Sequence, residues 1–253
     1  MGQRVAVLAI AGTDSSGGAG LLRDVQTLEA MGAQALCAVT AVTAQTDSRV
    51  LAVHAIPPDQ VRLQIEAAFA TQRVRAVKIG MLGDRATIDA VADALAEAPR
   101  VPVVLDPVLR ASSGGVLLDD PGYERLRSRL MPQVSLLTPN IPEAAWLNGA
   151  TPGEDATVNQ RIEWAQALLA GGARAVLLKG GHAQGRDATD VLVRPGLEPQ
   201  WLSSPRLSAR SRGTGCALAA AIAAALATGA EMFEACRVGR EHVLALLAKA
   251  ETR

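Results

Sequence analysis

The segment Arg212-Gly213-Thr214-Gly215-Cys216 runs straight into the alanine-rich stretch Ala217–Leu226. Two glycines and a threonine open a helix there, and a cysteine falls in its first turn. Amide hydrogens at a helix start have no partner inside the helix, and the macrodipole adds about half a positive charge beside them. Glycine lets an anion approach that cluster, so Gly213, Thr214 and Gly215 suit phosphate-like charge. The same field favours thiolate over thiol, which would make Cys216 a base at neutral pH. The plainer alternative is a glycine turn followed by a cysteine packed as a small hydrophobe.

Other chemistry-bearing residues punctuate the chain. Gly12-Thr13-Asp14-Ser15-Ser16-Gly17-Gly18-Ala19-Gly20 has neither the GxGxxG spacing of dinucleotide sites nor a P-loop Gly-Lys-Ser/Thr. It reads as a loop that lets a small polar molecule lie against backbone, or as a tight turn. Asp24, one helical turn on, would reach a ligand's hydroxyl or amine, or face solvent. Gln45 carries an amide that both donates to and accepts from a heterocycle edge. Asp106, before Pro107, suits magnesium, which takes one or two carboxylates plus phosphate oxygens; Asp-Pro also starts turns. Asn140 and Glu143, three apart at a helix start, read as a pair addressing one hydrated metal or as a capping box. Lys179, before Gly180-Gly181, suits a nucleotide phosphate, or is a solvated lysine ahead of a turn. His182 reads as a bystander, and Cys37 and Cys236 as packing residues.

The elements that would position these residues alternate along the chain. Val5–Ile10, Ala35–Val42, Ala76–Ile79, Val103–Asp106, Leu136–Thr138 and Ala175–Lys179 read as buried strands. Leu21–Met31, Pro58–Thr71, Asp84–Ala96, Tyr123–Leu130 and Val158–Ala170 carry helical spacing, with Gly32, Gly149 and Gly171 or Gly172 as C-caps. Such alternation predicts an α/β fold, a mainly parallel sheet with helices on both faces. Thr189–Val193 and Gln200–Leu202 follow as a strand pair about Pro195-Gly196, then helices Gly215–Ala227 and Met232–Ala248. No linker or repeat interrupts the chain, so residues 1–253 read as one domain. In such sheets ligands bind beyond the strands' C-terminal ends, and each end here carries one notable residue.

Composition narrows the function. The chain has 253 residues, 25 basic and 25 acidic, which argues against a nucleic-acid or anionic-membrane partner. Two Phe, one Tyr and three Trp are too few for stacking along a single strand. Three cysteines in no metal-ligand spacing suggest a reducing compartment. The apolar run after Arg4 is too short for a signal peptide or membrane span, so a cytoplasmic protein is expected.

Seven segments together carry a resemblance. They are Gly-Thr-Asp-Ser-Ser-Gly-Gly-Ala-Gly at 12–20, Thr-Ala-Val-Thr-Ala-Gln at 40–45, Lys-Ile-Gly-Met-Leu at 78–82, Asp-Pro-Val at 106–108, Thr-Pro-Asn-Ile-Pro-Glu-Ala at 138–144, Lys-Gly-Gly-His at 179–182 and Gly-Thr-Gly-Cys at 213–216. In this order they resemble the hydroxymethylpyrimidine/phosphomethylpyrimidine kinases of thiamine biosynthesis, in the ribokinase-like superfamily. The resemblance implies a three-layer α/β/α fold, ATP and Mg²⁺ as cofactors, and a homodimer. It implies that Gln45, Asp24 and the Met81 backbone hold the pyrimidine near Gly12, with Val108 lining the pocket. Asp106 and Glu143 would serve the metal, Lys179, Asn140 and Thr214 the nucleotide, and Cys216 would deprotonate the attacking hydroxyl. The amides of Gly213 to Cys216 would neutralise the transferring phosphoryl. Related kinases imply pyridoxal as an alternative substrate, and a non-catalytic binder is a third reading. Leu22, Ser112 and Arg212 depart from the family pattern; Arg212 stands where a His is usual, Ser112 where a Lys is usual, and Arg110 would supply charge nearby.

Overall fold

The structure is a computed structural model, and it describes residues 4–109, 118, 120–151, 156–181, 186–209 and 211–251. Arg110, Ser112 and His182 lie outside the described residues. Strands β1 (Ala6–Asp14), β2 (Gln34–Gln45), β3 (Val50–Ala55), β4 (Val74–Ile79), β5 (Val103–Leu105), β6 (Leu136–Leu137), β7 (Val176–Leu178), β8 (Asp187–Val193) and β9 (Gln200–Pro205) form one sheet. Its order is β3-β2-β1-β4-β5-β6-β7-β8-β9. The six strands from β2 to β7 in that order run parallel, so their C-terminal ends share one edge. Strands β3, β8 and β9 pair antiparallel at the two flanks.

The helices are α1 (Gly20–Ala30), α2 (Pro58–Thr71), α3 (Arg85–Glu97), α4 (Asp120–Arg125), α5 (Ile141–Leu147), α6 (Val158–Ala170), α7 (Thr214–Ala227) and α8 (Met232–Glu251). A π-helical turn, Leu126–Leu130, and a short 3-10 turn, Met131–Gln133, extend α4. Strand alternation sorts them into layers, because successive side chains point to opposite faces. Leu8 and Ile10 of β1, Val77 and Ile79 of β4, and Val103 and Leu105 of β5 join the core under α2 to α6. Val7, Ala9, Ala76 and Val104 join the core under α1, α7 and α8. Two apolar layers flank one sheet, as the alternation predicts.

Helix α7 is apolar all round, and every residue from Ala217 to Ala227 is buried. Its alanines admit close neighbours: a Cβ on Gly239 of α8 would stand 2.6 Å from Ile222 Cγ1. Strand β3 was not legible in sequence, because Leu51 to Ala55 are all exposed and show no buried face. Among the described residues no helix is long and apolar enough to cross a membrane.

Candidate active site

The parity that builds the layers also aims the site. On β5 the residues facing α7 alternate with Val103 and Leu105, so Asp106, one past the strand, falls on the α7 side. On β7, Val176 and Leu178 face the other layer, and Lys179 again falls on the α7 side. The two meet: Lys179 Nζ donates to Asp106 Oδ1 at 2.7 Å. Glu143 Oε2 lies 3.9 Å from the same ammonium. Burial and the negative charge of Asp106 push the Glu143 carboxyl up to about 7, against the opposing pull of Lys179.

Asn140 and Glu143 form a full capping box on α5. The Asn140 N–H donates to Glu143 Oε2 at 2.7 Å, and the Glu143 N–H donates to Asn140 Oδ1 at 2.8 Å. The capping reading therefore describes their geometry, and it leaves Glu143 beside Lys179.

The first turn of α7 lies over this pair. A Cβ on Gly215 would stand 3.3 Å from both Asp106 Oδ2 and Lys179 Nζ. Gly213 caps the helix in the left-handed region, φ 70°. A side chain there would also strike the Gly18 carbonyl oxygen at 2.4 Å. The glycine loop after β1 thus packs against the α7 start. Gly20 sits 2.4 Å, at its Cβ position, from the Gly12 carbonyl oxygen, and it too has positive φ.

Arg212 ties these segments together. Its guanidinium donates to Ser16 Oγ at 2.7 Å, Asp47 Oδ1 at 3.0 Å and Asp14 Oδ2 at 3.1 Å. Asp14 in turn accepts from the Ser16 N–H and hydroxyl.

Cys216 is half-buried in the first turn of α7, at the centre of this arrangement. Its ionisation differs from the sequence expectation. Burial pushes the thiol up to about 11, with Asp24 and Asp106 adding to the rise and Lys78 opposing it. A helix start offers about 0.3–2 kcal/mol to a charge, less than removal from water costs an unpaired one.

Asp24 departs further. It is fully buried, and its Oδ2 accepts from Lys78 Nζ at 2.7 Å rather than facing an open pocket. Lys78 is the site residue that sequence reasoning missed. A lysine inside the buried strand Ala76–Ile79 was the available signal.

Around the residues expected to hold a pyrimidine, the Met81 carbonyl accepts from Thr40 Oγ1 at 2.7 Å, and a Cβ on Gly12 would stand 3.1 Å from Met81 Sδ. The Gln45 backbone is pinned by Ser15 Oγ, at 2.8 Å to its N–H. Val108 is half-buried two residues past Asp106, and Thr214 opens α7. Cys236 is packed as expected, whereas Cys37 is exposed.

Comparison with known proteins bears on what such a site does. The family model described as phosphomethylpyrimidine kinase matches residues 14–252. The chain belongs to the phosphomethylpyrimidine kinase family. It is 42% identical over 252 residues to the hydroxymethylpyrimidine/phosphomethylpyrimidine kinase of Salmonella typhimurium, covering 99% of this chain and 93% of that one. The corresponding Escherichia coli enzyme is 39% identical over 250 residues, with the same coverage. Among solved structures, phosphomethylpyrimidine kinase from Clostridium difficile superposes with a TM-score of 0.82 at 34% identity, covering 96% of this chain and 99% of that one. Pyridoxal kinase from Staphylococcus aureus, in complex with AMP-PCP and pyridoxal, gives 0.87 at 26% identity, covering 97% and 88%. The ribokinase-like fold and the kinase reaction of thiamine biosynthesis follow, with ATP as the donor the family implies.

Proposed function

We propose that the Cys216 thiolate is the base, and that the amides of Gly213, Thr214, Gly215 and Cys216 hold the migrating phosphoryl. The proton of the substrate's hydroxymethyl group passes to the Cys216 sulfur. The freed oxygen pair forms a bond to the γ-phosphorus of ATP, and the bond from that phosphorus to the β,γ-bridging oxygen breaks, releasing ADP. For the monophosphate, a phosphate oxygen is the acceptor. The observation that carries this reading is the convergence at the first turn of α7, where Gly215 stands against Asp106 and Lys179 and Gly213 against the Gly18 carbonyl.

Lys179, Asn140 and Thr214 serve the nucleotide phosphates. Gln45, Asp24, Met81, Gly12 and Val108 form the pyrimidine pocket, with the unpartnered Asp24 Oδ1 supporting its place there. Asp106 and Glu143 give two carboxylates beside one ammonium, a donor set that fits Mg²⁺ carried in with phosphate oxygens. When bound, the ion supplies charge neutralisation on those oxygens.

The whole chain works as one domain, supported by its single continuous sheet. A homodimer through β2 and β3 is supported by exposed Val42, Leu51 and Val53 on that ribbon. Three free cysteines support a reducing, cytoplasmic setting. A second reading, pyridoxal phosphorylation at the same site, is favoured by the likeness to the pyridoxal kinase fold.

Mass analysis of the products formed from MgATP with hydroxymethylpyrimidine, beside a parallel reaction with pyridoxal, tests the reading. Pyrimidine mono- and diphosphate are expected. A large preference for pyridoxal, or no product, contradicts it.

A further inference from the structure

The turn that follows Lys179 is anchored to the neighbouring strand by a side chain. The Gly180 N–H donates to Asp190 Oδ1 at 2.7 Å, a buried hydrogen bond. Asp190 lies on β8 next to Val191, the partner of Leu178 at the end of β7. Where the next rung of the ladder would fall, the Asp190 carboxylate takes the amide instead. Gly180 lies flat against β8, since a Cβ there would run into the Thr189 carbonyl. Arg206 ties the next carbonyl, that of Gly181, from 2.6 Å.

The other Asp190 oxygen, Oδ2, accepts from Arg240 Nη1. Arg240 Nη2 also donates to the Ala188 carbonyl at 2.8 Å and to Ser204 Oγ at 2.7 Å. The two charged side chains are only 7% and 11% exposed. An ion pair so far out of water stabilises a fold less than an apolar pair of the same shape, so stability alone does not account for it. What an apolar pair lacks is an acceptor for the Gly180 N–H. Arg240 comes from α8, whose Gly239 packs against Ile222 and Leu218 of α7. One helix thus braces α7 and the Lys179 turn together.

Lys179 is fixed from its other side as well. Its N–H donates to the Pro139 carbonyl at 2.8 Å, and its Nζ to Asp106 Oδ1. With the amides of Lys179 and Gly180 both engaged, the peptide between them is locked and the ammonium stays beside Asp106.

We propose that Asp190 and Arg240 are positioning residues for the nucleotide: through the Gly180 amide they hold the Lys179 turn where its ammonium receives the phosphates of ATP. The proposal rests on Lys179 serving the nucleotide. Strand β8 lies on the opposite flank of the sheet from β2, which carries Gln45, so the effect should be confined to the nucleotide side.

Two charge-neutral double variants test it. Asp190→Leu with Arg240→Met replaces the ion pair by apolar side chains, which should keep the melting temperature near wild type, and leaves the Gly180 N–H without its acceptor. The KM for ATP and the dissociation constant of AMP-PCP, read by calorimetry, should rise about tenfold, the effect of one lost buried hydrogen bond. The KM for hydroxymethylpyrimidine should stay near wild type. Asp190→Asn with Arg240→Met keeps an oxygen for Gly180 and should restore both nucleotide values. If the apolar pair does not fold, Asp190→Asn alone carries the test. Its one oxygen faces two donors, so AMP-PCP should weaken about threefold or more, and adding Arg240→Met should restore it. Wild-type nucleotide values in the folded apolar pair, or in Asp190→Asn where that variant stands in, overturn the proposal, as do equal rises for ATP and the pyrimidine. Lys179→Met, titrated alongside with AMP-PCP, separates the two readings. Wild-type binding there removes the role of Lys179 itself, whereas weakened binding there with none in the Asp190 variants removes only the positioning.

Discussion

Lys179 and Asp106 stand 73 residues apart in sequence, and their charged ends meet at 2.7 Å. Each is the first residue beyond a parallel strand, and each falls on the face that α7 covers. The sheet brings them together by register and parity, and Gly215 fits over them because it has no side chain.

Gly215→Ala isolates that fit. Alanine favours a helix over glycine by about 0.5–1 kcal/mol, which offsets the tight contact of its methyl with the Asp106–Lys179 pair, so the melting temperature should stay close to wild type. Its methyl would sit 3.3 Å from Asp106 Oδ2 and Lys179 Nζ, in the space proposed for the phosphoryl. Turnover should fall by about tenfold, equivalent to roughly 1.4 kcal/mol of barrier. Steady-state kinetics beside thermal unfolding reads both. Activity unchanged at a wild-type melting temperature would show that the phosphoryl passes elsewhere.

Arg212 makes a different prediction. Its fork joins Asp14, Ser16 and Asp47 to the residue that precedes the α7 cap. Arg212→Ala leaves the buried Asp14 carboxylate without its cation, at a cost of about 1–3 kcal/mol. The glycine loop should loosen with it, raising the KM for the pyrimidine several fold and that for ATP less. Equal rises in both would argue that the latch serves the whole site rather than the loop.

Much of this was legible in sequence for a plain reason. Apolar runs such as Val5–Ile10 and Val103–Asp106 are buried on both faces, and only central parallel strands tolerate that. Asn140 and Glu143 announced a capping box by spacing alone. What failed was whatever depends on the surroundings of a residue. Strand β3 has no buried face to leave a pattern, so Val50–Ala55 is not among the strands expected from sequence. Asp24 looked like a helix residue able to reach a ligand because nothing local reveals Lys78 beneath it. Cys216 looked acidic because the helix start is visible in sequence, whereas the burial that outweighs it is not.

Alkaline stability follows from the buried thiols. Burial and nearby Asp190 push Cys236 up to about 12 from an ordinary 9.0. A folded value above the unfolded one means stability fully present below pH 9 and lost as pH rises toward 12. The melting temperature should therefore decline from pH 9 to 11, and decline less in Cys236→Ala, which starts about 1 kcal/mol less stable for its missing sulfur. Thermal unfolding across that range reads the slopes, and parallel slopes would contradict the assignment.

The most direct measurement is turnover of hydroxymethylpyrimidine with MgATP by Cys216→Ser and Cys216→Ala. Loss of a positioned general base costs about 10²–10⁴ in rate, so kcat should fall at least a hundredfold while the melting temperature and nucleotide binding stay close to wild type. Turnover within a few fold of wild type in both variants would contradict the account.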